Sequence, residues 1–192
     1  MMLDAQYFDQ LYQSSDKPWQ NEDDWYEKRK RHLINACLIK QHYNQILELG
    51  CGTGFNTELL SKRCNFLLGF DFSSIALEIA KEKLAEQSHV EFRCLDLPAQ
   101  WPADTKAKFD LIVVSEFAYY LTDDDLKLII SCCVNSLAVD GELIFCNWLP
   151  DCHDRLQDTQ HIHQLVSQTH NLRHQLTHKD KLFLIDSWCK CD

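Results

Sequence analysis

The chain has 192 residues, with 19 Lys plus Arg against 29 Asp plus Glu and a formal net charge of −10. At 45% hydrophobic and 25% charged it has a globular rather than a disordered composition, and its length suits one domain spanning residues 1–192. An acidic chain without a basic stripe is a poor ligand for phosphate backbones or anionic surfaces, so neither nucleic acid nor a membrane is an expected partner.

No apolar run approaches the ~18 residues that cross a bilayer. The start, Met1-Met2-Leu3-Asp4, has no basic patch followed by an apolar stretch, so a cytoplasmic location is the expectation. The ten cysteines include no C-x-x-C pair. They read as reduced thiols filling small core positions.

Hydrophobic period predicts the elements. Asp4 to Tyr12 reads as a short amphipathic helix, and Ser14 to Asn21, with Pro18, as a loop. Asp23 or Asp24 caps a helix to about Lys40, with Leu33, Ala36 and Cys37 on its buried face. Residues 1–40 thus form a helical cap and 41–192 a sheet core. Gln45 to Leu49 is a strand, Asn56 to Lys62 a helix, Phe66 to Phe70 a strand. Ser73 or Ser74 caps a helix to about Glu86. Val90 to Cys94 and Leu111 to Val114 are strands. Asp123 to Leu137 is a helix whose Leu126, Ile129, Ile130, Cys133 and Leu137 draw one apolar stripe. Asp140-Gly141 is a turn, Glu142 to Cys146 a strand, and Thr159 to His170 a helix. The tail, Leu172 to Thr177 and Leu182 to Trp188 around a polar turn, reads as a hairpin.

Alternating strands and helices dictate an α/β fold with right-handed crossovers and a mostly parallel sheet, and the hairpin adds an antiparallel edge pair. Ligands bind such sheets beyond the carboxyl ends of the strands, where strand order reverses.

The first strand runs into Glu48-Leu49-Gly50-Cys51-Gly52-Thr53-Gly54. Glycines at alternate positions permit positive φ and close backbone approach. A dinucleotide fingerprint, G-x-G-x-x-G, needs a third glycine at position 55 or 57, which hold Phe55 and Thr57. The ligand therefore lacks a pyrophosphate, which Glu48 would also repel. Asp71, ending the second strand, can accept both hydroxyls of a ribose. Asp96, beyond the third, can accept from an adenine amine with Leu97 on the ring. The implied ligand is a phosphate-free adenosine carrying a positive group.

Glu48 through Gly54, followed in step by Asp71 and Asp96, resembles the class I methyltransferases that bind S-adenosylmethionine. Pro18-Trp19, Trp25-Tyr26-Glu27-Lys28-Arg29-Lys30, Ser115-Glu116-Phe117-Ala118-Tyr119-Tyr120-Leu121 and Ile162-His163 are similar to the nodulation protein S-like branch, over roughly Phe8 to Leu165. Founding members of that branch N-methylate the free amine of a deacetylated chitin oligosaccharide. The region around Asn147-Trp148 and Thr159-Gln160-His161 departs from the branch pattern, which has a glycine shortly before the histidine.

The resemblance implies a single Rossmann-like fold with seven strands and S-adenosyl-L-methionine as cofactor. It implies that Gly50, Gly52 and Gly54, with Cys51 between them, pass under the methionine part and the ribose. Glu48 would order that loop through backbone N–H groups. Asp71 would hold the ribose, Phe72 the adenine face, and Asp96 and Leu97 the base. Ser115 and Glu116 would lie near the transferring methyl group. Tyr26 and Arg29 would close over the cofactor, with Arg29 on its carboxylate; a solvated helix face is the alternative for that charge run. Glu116, Tyr120 and His163 are the candidate catalytic residues. Tyr119 and Tyr120 read either as a lid or acceptor wall or as packing under a loop, and an ion-paired structural role is the alternative for Glu116. No metal site is expected, since His163 and His170 stand two helical turns apart. The acceptor is a small molecule or oligosaccharide, most plausibly an amino-sugar nitrogen. The rival readings are O- or S-methylation of another metabolite, a non-catalytic cofactor-binding scaffold, and, more weakly, a dinucleotide oxidoreductase.

Overall fold

The computed structural model describes residues 5–14, 25–106, 108–151 and 155–192, and the side chains from Tyr7 onward within them. The expected Pro18-Trp19 loop, the Asp23 or Asp24 cap, Cys152 and His153 lie outside the described residues.

Seven strands form one sheet of order β3-β2-β1-β4-β5-β7-β6. They are β1 (Tyr43–Leu49), β2 (Cys64–Asp71), β3 (Val90–Cys94), β4 (Phe109–Ser115), β5 (Leu137–Trp148), β6 (Leu172–Lys179) and β7 (Phe183–Lys190). The first five pair in parallel, and β7 runs antiparallel to both β5 and β6. The helices are α1 (Ala5–Ser14), α2 (Trp25–Cys37), α3 (Phe55–Ser61), α4 (Ser74–Lys83), α5 (Asp123–Ser136) and α6 (Thr159–Ser167).

The central strands are apolar along their length because both sheet faces are covered. Alternate residues sort into two cores. Leu47, Leu49, Ile112, Val114 and Phe145 pack with α5 and α6. Ile46, Leu111, Val113, Ile144 and Ile185 pack on the opposite face with α2 and α3. Caps start the helices where expected. Ser73 accepts from Ala76 N at α4, Thr122 from Asp125 N at α5, and Asp158 from Gln160 N and His161 N at α6. Asp123, Asp124 and Asp125 occupy the first turn of α5, where the helix dipole favours negative charge.

Three expectations need correction. The buried face of α2 carries Glu27, Lys30, Ile34 and Cys37, whereas Ala36 is exposed; the helix is rotated from the purely apolar stripe because Lys30 is paired inside. The helix also ends at Cys37, short of Lys40. The Asp140-Gly141 turn is absorbed into the long β5. Asp140 takes φ +57° there and the β4–β5 register shifts between Phe109 and Leu111. A side chain at Gly141 would meet the Ala138 carbonyl at 2.8 Å.

Strand order reverses between β1 and β4, so the segments after these two strands stand side by side. Gly50, after β1, lies against Phe117, after β4.

Candidate active site

The loop after β1 holds Gly50, Gly52 and Gly54 at φ +69°, +52° and +80°. Their neighbours separate their roles. A Cβ on Gly50 would strike Phe117 Cβ at 2.9 Å, and one on Gly54 would meet Ala80 and Leu84 of α4 at 3.1 and 3.2 Å. These two glycines allow close packing inside the protein. A Cβ on Gly52 would meet only the Tyr12 hydroxyl, at 3.2 Å, so this glycine faces the cleft between the loop and α1. Cys51 is buried with its sulfur against Gly69 in the sheet, facing away from that cleft, and burial pushes its thiol pKa well up.

Two carboxylates, Glu48 buried and Asp71 half-buried, fix the loop. Glu48 accepts from Thr57 Oγ1 (2.6 Å) and Asn56 Nδ2 (2.8 Å) on the first turn of α3. It thus orders the loop through side chains, where backbone N–H groups were expected. Burial pushes its pKa up to about 7 despite those two hydrogen bonds. Asp71 accepts from three backbone N–H groups, Gly52 (2.7 Å), Phe72 (2.8 Å) and Ser73 (2.9 Å). Burial raises its pKa against those bonds. An ionised carboxylate has about four acceptor sites, so one remains toward the cleft.

Helix α1 lies across this end of the sheet. Ser73 Oγ donates to Asp9 at 2.5 Å, and Phe8 packs edge-on against both Phe72 (5.9 Å) and Tyr120 (5.2 Å). Beyond β3, Asp96 is exposed, its backbone N–H donating to Gln100 Oε1, while Leu97 is buried.

A second cluster follows β4. Glu116 takes φ +55°, uncommon for a residue with a side chain and a form of strain that concentrates at functional sites. Its backbone N–H donates to the Cys146 carbonyl. Its carboxylate accepts from Tyr119 OH (2.7 Å) and from Lys30 Nζ (3.2 Å). Lys30 also donates to Glu27 (2.9 Å), and Arg31 lies 3.7 Å from Glu27. Lys30 is 4% exposed. Burial alone would lower its pKa, but Glu116 and Glu27 outweigh it and keep the ammonium charged. Tyr120 packs on Tyr119 with ring centroids 4.6 Å apart. Ser115 stands opposite Cys146 of β5 in the sheet.

Of the remaining candidates, Arg29 and His163 lie elsewhere, whereas the Tyr26 ring lies 5.3 Å from the Lys30 ammonium, beside the Glu116 cluster. Arg29 pairs with Asp180 in the β6–β7 turn and lies over Phe183, so the carboxylate it meets belongs to the protein. Tyr26 packs edge-on against Trp148 (5.1 Å) and Phe183 (5.6 Å), on the hairpin side. His163 is 4% exposed, with Nδ1 2.7 Å from Asp186 and Nε2 3.1 Å from Asn147. Both ring nitrogens are thus engaged within the fold. Asp186 is held below the usual carboxylate range: burial pushes its pKa up, but hydrogen bonds from His163, Thr177 and His174 outweigh it.

The structure therefore brings together the glycine loop, Asp71 and Phe72 under α1, with Ser115, Glu116 and Tyr120 beside them across the β1–β4 reversal. Sequence reasoning missed Lys30 as a buried partner of Glu116. Glu27, Lys30, Ile34 and Cys37 follow helical spacing, and that periodicity was the available signal for a buried lysine.

A family model, nodulation protein S (NodS), matches residues 7–155. Among curated relatives, the nodulation protein S of Sinorhizobium fredii is 28% identical over 134 residues, 69% of this chain and 61% of the relative. That of Rhizobium tropici is 29% identical over 135 residues, 69% and 55% of the two chains. The chain thus spans about six-tenths of the length of these relatives. A solved structure of a candidate methyltransferase from Pseudomonas syringae is 36% identical, with a TM-score of 0.73 over 86% of this chain and 99% of the other. The N-methyltransferase NodS of Bradyrhizobium japonicum WM9, solved with S-adenosyl-L-homocysteine, shares the fold at a TM-score of 0.81 and 24% identity, over 95% and 99% of the two chains. The family match takes in the glycine loop, both acidic strand ends and the Glu116 segment, and on that ground the chain belongs to the nodulation protein S family.

Proposed function

We propose that this chain is an S-adenosylmethionine-dependent methyltransferase working on a small or oligosaccharide acceptor, with an amino-sugar nitrogen as the favoured methyl acceptor. One observation carries the reading. A left-handed glycine loop, tied by Asp71 to the neighbouring strand, stands next to a carboxylate displayed on strained backbone, at the point where strand order reverses. Family membership and the named activity of the NodS relative support it.

The residues fit the cofactor. Gly52 leaves clear the space that a side chain would fill, Asp71 keeps an acceptor site for a ribose hydroxyl, and Glu48 beside the loop disfavours a pyrophosphate. Gly52, Asp71, Phe72, Asp96 and Leu97 would hold the nucleoside. S-adenosylmethionine, when bound, supplies a sulfonium methyl group for in-line displacement.

This chain's own contribution is positional, since holding a nucleophile at near-attack distance and in line is worth several kcal/mol. An amine must be neutral to attack. Glu116, whose carboxylate is 24% exposed, orients the amine and takes up its proton. Tyr119 fixes one of its oxygens, and Tyr120 with Phe8 forms a wall that limits water.

We also read residues 1–40 as a cap on the 41–192 sheet core, making one domain, supported by the contacts of α1 and α2 with the site. No described helix is long and apolar enough to cross a membrane. The nine described cysteines are all free, which suits the reducing cytoplasm.

Isotopic methyl transfer to deacetylated chitin oligomers, with phenols and thiols in parallel, tests the proposal. Label on the oligomer amine is the expected result. Label on oxygen or sulfur acceptors alone would move the chain to the rival class, and cofactor binding without transfer to any acceptor would favour a scaffold.

A further inference from the structure

Lys30 is a charged residue on the inner face of a helix that otherwise buries Ile34 and Cys37. Placing an ammonium there costs several kcal/mol unless partners repay it. Glu27, on the same helix, already provides one partner at 2.9 Å. Yet Lys30 also reaches across to β4 and meets Glu116 at 3.2 Å. Glu116 is the residue that departs from ordinary backbone at the strand end, and its other oxygen is taken by Tyr119 at 2.7 Å. The carboxylate is therefore gripped from two elements, α2 on one side and the turn after β4 on the other.

The titratable groups near it come from three directions. Lys30 faces it from α2, with Glu27 and Arg31 behind; Tyr119 faces it from its own turn; Cys146 faces it from β5. Of these, Lys30 is the cation in hydrogen-bond contact with the carboxylate. The Tyr26 ring lies 5.3 Å from the ammonium and shields it further.

We propose that Lys30 is a positioning residue that holds the Glu116 carboxylate aimed at the acceptor amine, so that α2 controls the geometry of the methyl-accepting side. The inference rests on the methyltransferase reading above. Lys30 acts only through Glu116; its buried Nζ does not reach the acceptor.

A double-mutant cycle tests it on the full chain, with label transfer to deacetylated chitin oligomers as the readout. K30M lowers kcat/KM for the amine at least about tenfold in the wild-type background and less than about twofold in E116Q, because the group it serves is already altered. Affinity for S-adenosylhomocysteine stays within about twofold of wild type in all variants, which a general structural lesion would not allow. Equal losses in both backgrounds, or no loss from K30M, would overturn the proposal. If K30M alone does not fold, E27Q/K30M removes the ammonium together with the carboxylate its loss strands, and the same cycle is run from E27Q. Crystal structures of wild type and the lysine variant read the point without turnover: the Glu116 carboxylate sits on Lys30 and Tyr119 in the first and is displaced in the second. An unmoved carboxylate contradicts the inference, whereas a carboxylate displaced in the variant with no turnover by the wild type on any acceptor contradicts the methyltransferase reading instead.

Discussion

Each of the two carboxylates at the glycine loop answers to a different measurement. Asp71 ties the loop to the end of β2 by accepting from the Gly52 N–H, and it also accepts from the N–H groups of Phe72 and Ser73 that follow it. Charge-assisted bonds of this kind contribute about 1.5–3 kcal/mol each. Asp71→Ala should lower affinity for S-adenosylhomocysteine at least about tenfold in a calorimetric titration, and unchanged affinity would remove Asp71 from the site. Gly52→Val should abolish binding in a variant that circular dichroism shows to be folded, because it forces a β-branched residue to φ +52° under Tyr12. Glu48 makes a pH prediction. Its folded pKa, about 7, lies above the ordinary 4.5. The folded state then binds more protons than the unfolded state between those values, so this group's contribution to stability falls as pH rises through the window. Denaturant midpoints at pH 5 and pH 7.5 should therefore differ less for Glu48→Gln than for wild type. An equal difference would show that Glu48 titrates normally.

The elements were easier to read than their contacts. β3 runs from Val90 to Cys94 as expected, and α5 differs only in ending at Ser136, because apolar period and capping chemistry are local properties. The face of α2 was misjudged because a buried, paired lysine breaks the apolar stripe, and pairing across the fold is not local. The same reason separates the fates of Asp71 and His163. The first sits at a strand end, whose location the sheet dictates. The second sits on α6, whose rotation sets its ring over the sheet between Asp186 and Asn147. His163→Ala should then cost about 1–3 kcal/mol of unfolding free energy, from removing one of the partners of Asp186 and the partner of the Asn147 side-chain oxygen, with cofactor affinity unchanged. Chemical denaturation checks this. Loss of methyl transfer at full stability would return His163 to the acceptor site.

For the whole molecule, the alternation of strands and helices foretold the parallel sheet, and the tail foretold the hairpin at its edge. The reversal between β1 and β4 makes this end of the sheet two-sided, and the proposed function puts the nucleoside beyond β1, β2 and β3 and the acceptor beyond β4 and β5. Helices α1 and α2 span the two sides through Phe8, Asp9 and Lys30. What the sequence left hidden was this spanning, since a helix near the chain start carries no local sign of which strand end it will cover. The central claim is that the loop around Gly52 and Asp71 cradles a phosphate-free adenosine. Titration calorimetry of the full chain with S-adenosylhomocysteine, beside reduced nicotinamide dinucleotide, measures that most directly. Saturable binding of the first and none of the second is the predicted result; a folded chain that binds only the dinucleotide, or neither, would contradict it.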